Sequence, residues 1–192
     1  MQTNWPASIA FTLPQEGGSR ISMDSEDPGN WTGGAIGSGA LIGSKWGISA
    51  QTLLASQGTA TAAGMATLTQ QAAEGIYKQW FWGPIQGDSL PAGLDLLVFD
   101  SAVNQGVSGA SMLLQTAING MRAQPAQPAL KVDGHIGLLT LQAITDLPTR
   151  TLIAKTAILQ LQSYMADRSW DLYGRGWMGR LGRRLSAAAA LA

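Results

Sequence analysis

The glycine-rich segment 17–47 constrains the fold of this chain more than any other feature of the sequence. Glycine is unfavourable in helix interiors and common in tight turns, so the segment predicts turns and short hairpins. An irregular segment of about thirty residues is uncommon inside a compact domain and usually carries function. We therefore expect functional residues in or beside this segment.

Helical patterns flank the glycine-rich segment on both sides. Residues 4–16 predict a short helix with Asn4 as its N-cap, Pro6 in its first turn and Gly17 after its last turn. Ser49 is a second candidate N-cap. Further helices are predicted over 50–57, 67–82, 90–105, 108–120, 138–146 and 149–167, and from about 176 to the end, with a loop over 121–130. The fold class is therefore mainly α (α+β), with a small β or loop insertion near 18–47 and a helical C-terminal region.

The composition excludes several classes of function. The chain has no cysteine and one histidine, so thiolate chemistry, cysteine zinc sites and histidine-rich metal sites are excluded. Residues 1–130 carry eight acidic and four basic side chains, and residues 131–192 carry four acidic and eight basic ones. The excess of four basic side chains in residues 131–192 is small for a nucleic-acid-binding protein, which usually has a strongly basic face. We expect no nucleic-acid partner and no cofactor.

The sequence also bears on location. The first residues lack the basic region and apolar core of a secretory signal peptide, and no stretch of 18 apolar residues predicts a membrane span. We expect a protein made in the cytoplasm and not stably inserted in a membrane.

Glu16 is the first candidate for chemistry. It follows the predicted first helix and precedes the glycine-rich segment, at the junction of two predicted lobes. Partial desolvation there favours the neutral form of a carboxyl group, as a general acid for glycoside cleavage requires. The second carboxylate would come from Asp24, Glu26 or Asp27. The pattern alone is more typical of an exposed helix end and a solvated acidic turn.

Five motifs in order resemble glycoside hydrolase family 108, which contains bacterial and phage N-acetylmuramidases with a lysozyme-like fold. They read EGG at 16–18, DPGNWTGG at 27–34, GSKWGIS at 43–49, LPAG at 90–93 followed by VFDSAVNQG at 98–106, and VDGHIG at 132–137. A closing GWM at 176–178, with Arg180, extends the resemblance. Residues 132–144 resemble the family's predicted peptidoglycan-binding region. We expect residues 1–110 to form the lysozyme-like catalytic region and residues 111–192 a wall-binding region packed against it.

The resemblance implies roles for three residues. Glu16 matches the glutamate of the Glu-Gly-Gly motif and would be the catalytic acid. Asp27 matches the aspartate of Asp-Pro-Gly; it is either the second carboxylate or a cap of its own turn, with Asp24 as the alternative carboxylate. Ser44 stands where the family usually has threonine and would help to hold the attacking water.

Further residues have two interpretations each. Trp31 and Trp46 flank the glycine-rich segment and are candidates for stacking on sugar rings, or for packing. Tyr77, with Trp80 and Trp82, either stacks on sugars or packs in the core. Asp100 and Asn104 share a helix face at i, i+4 and either bind the sugar or brace the core.

These observations together predict a monomeric muramidase acting on peptidoglycan glycan strands. It would cleave the β-1,4 bond between N-acetylmuramic acid and N-acetylglucosamine. A phage-type endolysin released by a holin, or an enzyme released by a dedicated secretion system, would act in the periplasm or cell wall. The alternatives are a lytic transglycosylase and a non-catalytic peptidoglycan-binding or secretion-associated protein.

Overall fold

The computed structural model describes residues 4–122 and 128–192 of the chain. Within these residues it forms nine α-helices: α1 Trp5–Thr12, α2 Ala50–Gln57, α3 Ala62–Thr67, α4 Gln70–Tyr77, α5 Leu94–Gln105, α6 Val107–Met121, α7 Leu138–Ile144, α8 Thr149–Met165 and α9 Trp170–Leu191. The prediction of a mainly α protein is confirmed. Part of the predicted loop 121–130 lies outside the described residues.

The chain divides into two compact units. One consists of Ile9–Gln79, and the other combines the residues up to Ser8 with Trp80–Ala192. This division differs from the predicted regions 1–110 and 111–192, because α5 lies in the same unit as α6, α8 and α9 and packs against all three. Whether 111–192 binds the cell wall is a separate matter and stays a prediction.

The helices of the unit Ile9–Gln79 begin at hydroxyl caps. Ser49, Thr61 and Thr69 cap α2, α3 and α4, and each hydroxyl accepts a backbone N–H three residues later, at 3.1, 3.0 and 3.2 Å. Each cap satisfies one of the N–H groups that a helix start leaves without a partner. The predicted helix 50–57 is confirmed, whereas the six-residue helix α3 was not predicted.

The glycine-rich segment contains almost no β-structure. Among the described residues it forms three isolated antiparallel bridges, Ser22 with Ser44, Trp31 with Leu41 and Lys45 with Ile48, and no continuous strand. A single 3-10 turn, Pro28–Asn30, adds to them. The small β or loop insertion is therefore an assembly of turns that single bridges hold together.

Helix α5 forms the centre of the second unit. Every residue from Leu94 to Ala102 is buried. A glycine at position 93, with φ 81°, permits close contact with α9, because a Cβ there would lie 2.2 Å from the carbonyl oxygen of Ala188. The helix ends at Gly106, as predicted.

Both ends of this unit make contacts between distant parts of the chain. The backbone carbonyl of Asn4 accepts the first helical hydrogen bond, from Ser8, and its side-chain amide donates to the Asp95 carboxylate at 2.9 Å. A capping role of the Asn4 side chain stays a prediction. Burial raises the pKa of Asp95. Helix α9 begins at Trp170, before the expected start near 176. Its first turns pack Trp177 against Tyr164, with ring centroids 5.4 Å apart.

A buried ion cluster joins α5 to α9. Arg180 binds both carboxylate oxygens of Asp100, at 2.7 and 3.1 Å, and Arg184 binds one of them at 2.9 Å. Asp100 and Arg184 are fully buried. Arg184 also donates to the side-chain oxygen of Gln160 on α8, which accepts the Ser101 hydroxyl at 3.0 Å. The Asp100 carboxylate on α5 thus neutralises part of the positive charge of two arginines on α9, about 80 residues later in the chain.

Substituting Asp100→Asn should lower the free energy of unfolding by about 3–5 kcal/mol, because it replaces the charged partner of the fully buried Arg184 with a neutral amide and weakens the pairing of the partly buried Arg180. Urea denaturation monitored by circular dichroism measures this loss. The matched control is Asp171→Asn, an exposed carboxylate in the first turn of α9, for which we expect a change of about 0.5 kcal/mol or less. Equal effects of the two substitutions would show that the cluster does not stabilise the fold.

Candidate active site

Glu16 lies where the first helical segment ends. After α1 the chain tightens into a 3-10 turn, Leu13–Gln15, and the backbone N–H of Glu16 donates to the Leu13 carbonyl at 3.1 Å. Pro14 fits this turn because proline suits the first positions of a helical segment. Gly17 and Gly18 follow with φ of 90° and 69°, which redirects the chain. The half-buried Glu16 therefore lies at the end of a short helical element.

A tight turn at Trp46–Gly47 packs against Glu16. Lys45 and Ile48 exchange two backbone hydrogen bonds, at 3.1 and 2.9 Å, and the two residues between them have φ of 56° and 72°. Two consecutive positive φ values are the pattern of a type I′ turn. A Cβ on Gly47 would lie 2.7 Å from the Glu16 Cβ and 3.2 Å from its carbonyl oxygen, so only glycine fits.

The same turn is also bonded to the backbone that follows Glu16. The N–H of Trp46 donates to the Gly18 carbonyl at 2.9 Å, and Ser22 and Ser44 exchange backbone hydrogen bonds at 2.9 and 3.0 Å. Ser44 is half-buried, two residues before Trp46. Residues 16–22 and 44–47 thus form one hydrogen-bonded substructure that contains both Glu16 and Ser44.

Asp24 and Asp27 lie together on an exposed turn. Asp27 caps the 3-10 turn by accepting the Gly29 N–H at 2.8 Å, and Asp24 accepts the Glu26 N–H at 3.0 Å in the same type of Asx turn. The capping role foreseen as one alternative for Asp27 is therefore present. It uses one carboxylate oxygen and does not exclude a catalytic role for the other.

Asn30 anchors this turn, and sequence reasoning missed it. It is fully buried, its amide donates to the Asp24 carbonyl at 2.9 Å, and its own carbonyl accepts from Ile42 and Gly43 at 3.0 and 3.2 Å. Its only signal in the sequence was its place in a Pro-Gly-Asn turn. Through Asn30 the acidic turn is bonded to the chain just before Ser44.

Of the predicted aromatic residues, Trp31 and Trp46 are partly exposed and lie in or beside this substructure. Trp31 is half-exposed and its indole N–H donates to the Ser25 carbonyl at 2.9 Å, and Trp46 is half-buried. Tyr77 is not available for stacking on sugars, because it is 2% exposed and its hydroxyl donates to the Trp46 carbonyl at 3.1 Å. Trp82 is buried likewise, in edge-to-face contact with Trp5 and Phe99. Trp80 remains half-exposed.

Asp100 is also not a sugar-binding residue. Its carboxylate has no exposed surface and binds Arg180 and Arg184, so the bracing interpretation is the correct one. Asn104 is exposed, and its amide donates to the Asp100 backbone carbonyl at 2.9 Å. A substrate contact of Asn104 stays a prediction.

The Asp133-Gly134 motif forms a turn. Asp133 accepts the Gln115 amide at 2.9 Å and the His135 N–H at 3.0 Å, and these bonds hold the pKa of its carboxyl below the usual value. Gln115, buried on α6, also accepts the N–H groups of Asp133 and Gly134. Across residues 4–122 and 128–192, no group of three or more His, Cys, Asp or Glu side chains has the arrangement of a metal site.

Comparisons with known proteins identify the family of this chain. The family model for glycosyl hydrolase 108 matches residues 9–106, so the chain belongs to that family. The solved structure of SagA from Brucella abortus is similar to this chain, with a TM-score of 0.76 and 26% sequence identity. The match covers 98% of this chain and 95% of that one. No curated protein matches the chain. The family match makes the chain a glycoside hydrolase and supports peptidoglycan as the class of substrate.

The two Asx turns offer a direct test of the second carboxylate. Asparagine accepts the same backbone N–H as aspartate, so Asp27→Asn removes the charge and keeps the turn. We expect Asp27→Asn to lower the turnover of purified peptidoglycan by about a hundredfold or more with an unchanged melting temperature. Asp24→Asn, the matched control, should retain most of the activity. The reverse result would assign the role to Asp24, and full activity of both variants would leave Asp27 as a cap only.

Proposed function

We propose that this protein is an N-acetylmuramidase that hydrolyses the β-1,4 bond between N-acetylmuramic acid and N-acetylglucosamine, with Glu16 as the general acid. The observation that carries the proposal is the enclosure of Glu16. Glu16 is half-buried at the end of the first helical segment, and the Trp46–Gly47 turn packs against its Cβ and its backbone carbonyl. A general acid needs such a fixed position to reach the leaving oxygen in the transition state.

The proposed reaction assigns one task to each group. The Glu16 carboxyl gives its proton to the glycosidic oxygen as the bond to the anomeric carbon breaks. Asp27, with a water held by the Ser44 hydroxyl, assists attack on the opposite face and stabilises the positive charge that develops on the sugar ring. The water gives its oxygen to the anomeric carbon and its proton to Asp27. Trp31 and Trp46 are partly exposed residues, and their rings would stack on sugars.

The stereochemical course depends on the separation of the two carboxyl groups. A separation of about 6.5–9.5 Å leaves room for the water and gives inversion, whereas about 5–5.5 Å gives retention through a covalent intermediate. The assignment of a water to Ser44 and Asp27 favours inversion. The anomeric configuration of the first product, followed by NMR, distinguishes the two courses.

The decisive variant is Glu16→Gln, which keeps the size of the side chain and removes the transferable proton. We expect it to lower the release of reducing ends from peptidoglycan by about a thousandfold, with an unchanged melting temperature. Mass analysis of the wild-type products should show hydrolysed muropeptides. Anhydro sugars, lighter by one water, would instead identify a lytic transglycosylase.

The same pair of proteins tests the proposed endolysin role. Wild-type protein, but not Glu16→Gln, should lyse bacterial cells from within once a holin opens the inner membrane. No helix in the described part of the chain is long and apolar enough to span a membrane.

Full activity of Glu16→Gln would exclude Glu16 as the acid. Inactivity of both proteins with retained wall binding would favour a binding protein.

We also propose that residues 111–192 bind the cell wall through a cavity of about 670 Å³ beside α7. Arg122 and Lys131 supply positive charge to its lining and Asp146 supplies negative charge. Its apolar walls include Met121, Leu130, Leu139 and Leu147. A cavity of this size, with a few charged groups among apolar side chains, is typical of sites for small organic ligands. Both charges suit a peptide that carries carboxylates and an amine, as peptidoglycan stem peptides do.

Reversing the charge of Lys131 tests this second site. We expect Lys131→Glu to weaken binding to insoluble peptidoglycan about fivefold or more, while turnover of soluble glycan fragments changes little. Arg150→Glu, an exposed cation in the first turn of α8 outside the cavity lining, is the matched control. Co-sedimentation of the Glu16→Gln form of each variant measures binding without turnover. Equal affinities for the two variants would exclude the cavity as the wall-binding site.

A further inference from the structure

Tyr77 holds the Trp46–Gly47 turn from outside the turn itself. Its hydroxyl, buried at the C-terminal end of α4, donates to the Trp46 carbonyl at 3.1 Å. The backbone N–H of Trp46 donates to Gly18. The indole N–H of Trp46 is buried and has no hydrogen-bond partner among the described residues. The polar anchors of Trp46 are therefore its backbone groups, and Tyr77 satisfies one of them.

The Tyr77 hydroxyl and Glu16 border the same small volume. A Cβ on Gly47 would lie 2.3 Å from the Tyr77 oxygen and 2.7 Å from the Glu16 Cβ. Gly47 therefore packs between the hydroxyl and the glutamate without space for one additional methyl group. A displacement of the turn toward Glu16 would be transmitted to it, because the contact between Gly47 and the Glu16 Cβ leaves no free space.

Contacts with the Trp46–Gly47 turn restrain the backbone just after Glu16. Gly17 and Gly18 have positive φ, and a Cβ on either would meet no atom within 4 Å, so no atom packs on that side of either residue. The bond from Trp46 to Gly18 and the packing of Gly47 thus supply the restraint. Trp46 itself has φ of 56°, a conformation that a residue with a side chain rarely adopts without external support.

We propose that Tyr77 is a positioning residue for proton transfer by Glu16, acting through the Trp46–Gly47 turn. The inference rests on the proposed function of Glu16 as general acid. Loss of the Tyr77 hydroxyl removes the partner of the Trp46 carbonyl, releases the turn and lets the Glu16 carboxyl leave the position from which it protonates the leaving oxygen. The main effect falls on the acid-catalysed step, and the effect on glycan binding through the Trp46 ring is smaller.

The first experiment compares Tyr77→Phe with Tyr164→Phe. Both tyrosines are buried, and the Tyr164 hydroxyl accepts a hydrogen bond from Gln160 at 2.8 Å in the other compact unit. We expect Tyr77→Phe to lower kcat on soluble peptidoglycan fragments by about tenfold or more, with KM changed less than about threefold. Tyr164→Phe should leave both constants within about twofold of the wild type.

A second substrate separates positioning from general loss of structure. This substrate is an aryl glycoside that carries nitrophenolate in place of the N-acetylglucosamine leaving group. Nitrophenolate departs with little proton assistance. Tyr77→Phe should therefore turn over this substrate within about threefold of the wild type. An equal loss on both substrates, or no loss on peptidoglycan fragments, would overturn the inference.

The glycines provide an independent route if Tyr77→Phe does not fold. Gly47→Ala and Gly58→Ala place a side chain at nearly the same φ, 72° and 73°, but a Cβ on Gly58 meets nothing within 4 Å. Both variants carry the same backbone strain, so the difference between them reports contact with Tyr77 and Glu16. Gly47→Ala alone should show the selective loss on the peptidoglycan fragments. Identical kinetics of the two alanine variants would overturn the inference.

Glu16→Gln, measured in parallel, keeps the two hypotheses separate. If it is inactive while Tyr77→Phe is fully active, the proposed function stands and the role of Tyr77 is wrong. If Glu16→Gln is fully active, the assignment of the acid itself fails, and with it the inference for Tyr77.

Discussion

Left-handed backbone at two consecutive residues, Trp46 and Gly47, is the constraint on which the site around Glu16 depends. A glutamate followed by two glycines has many accessible conformations, and fixing each residue in one conformation costs about 1–2 kcal/mol. The neighbouring turn offsets part of this cost through the bond from Trp46 to Gly18 and the packing of Gly47 on Glu16. The turn is itself unfavourable at Trp46, by about 1–2 kcal/mol for a residue with a Cβ. Its stability therefore depends on partners outside it.

The parts of the structure that local chemistry determines were predictable from the sequence. Ser49 caps α2 because its hydroxyl meets an N–H three residues away, and Gly106 ends α5 because it adopts a positive φ. The placement of Glu16 at the end of the first helical segment follows from Pro14 and the two glycines in the same way. The start of α9 was not predictable, because its first turns are stabilised by contact of Trp177 with Tyr164 and not by a local signal.

Residue roles that depend on distant partners were the harder part. The i, i+4 spacing of Asp100 and Asn104 shows that the two side chains share a polar helix face, but it does not say whether that face binds sugar or arginine. Arg180 and Arg184, some 80 residues later in the chain, bind Asp100 and decide the question. Tyr77 presented the same difficulty, since its hydroxyl partner lies 31 residues earlier in the chain. A buried polar group needs a partner, but the sequence around it does not say which one.

The family match and the compact units divide the chain differently, which bears on how the matched region folds. The match covers residues 9–106 and so includes α5, yet α5 packs against α6, α8 and α9 and is buried from Leu94 to Ala102. A helix that is apolar around most of its surface needs neighbours on most sides. Asp100 adds an electrostatic reason, because its carboxylate would lack its two arginines if the chain ended after α5. The helices that follow residue 106 are thus structural partners of the matched region. This role is independent of any binding of these helices to the cell wall.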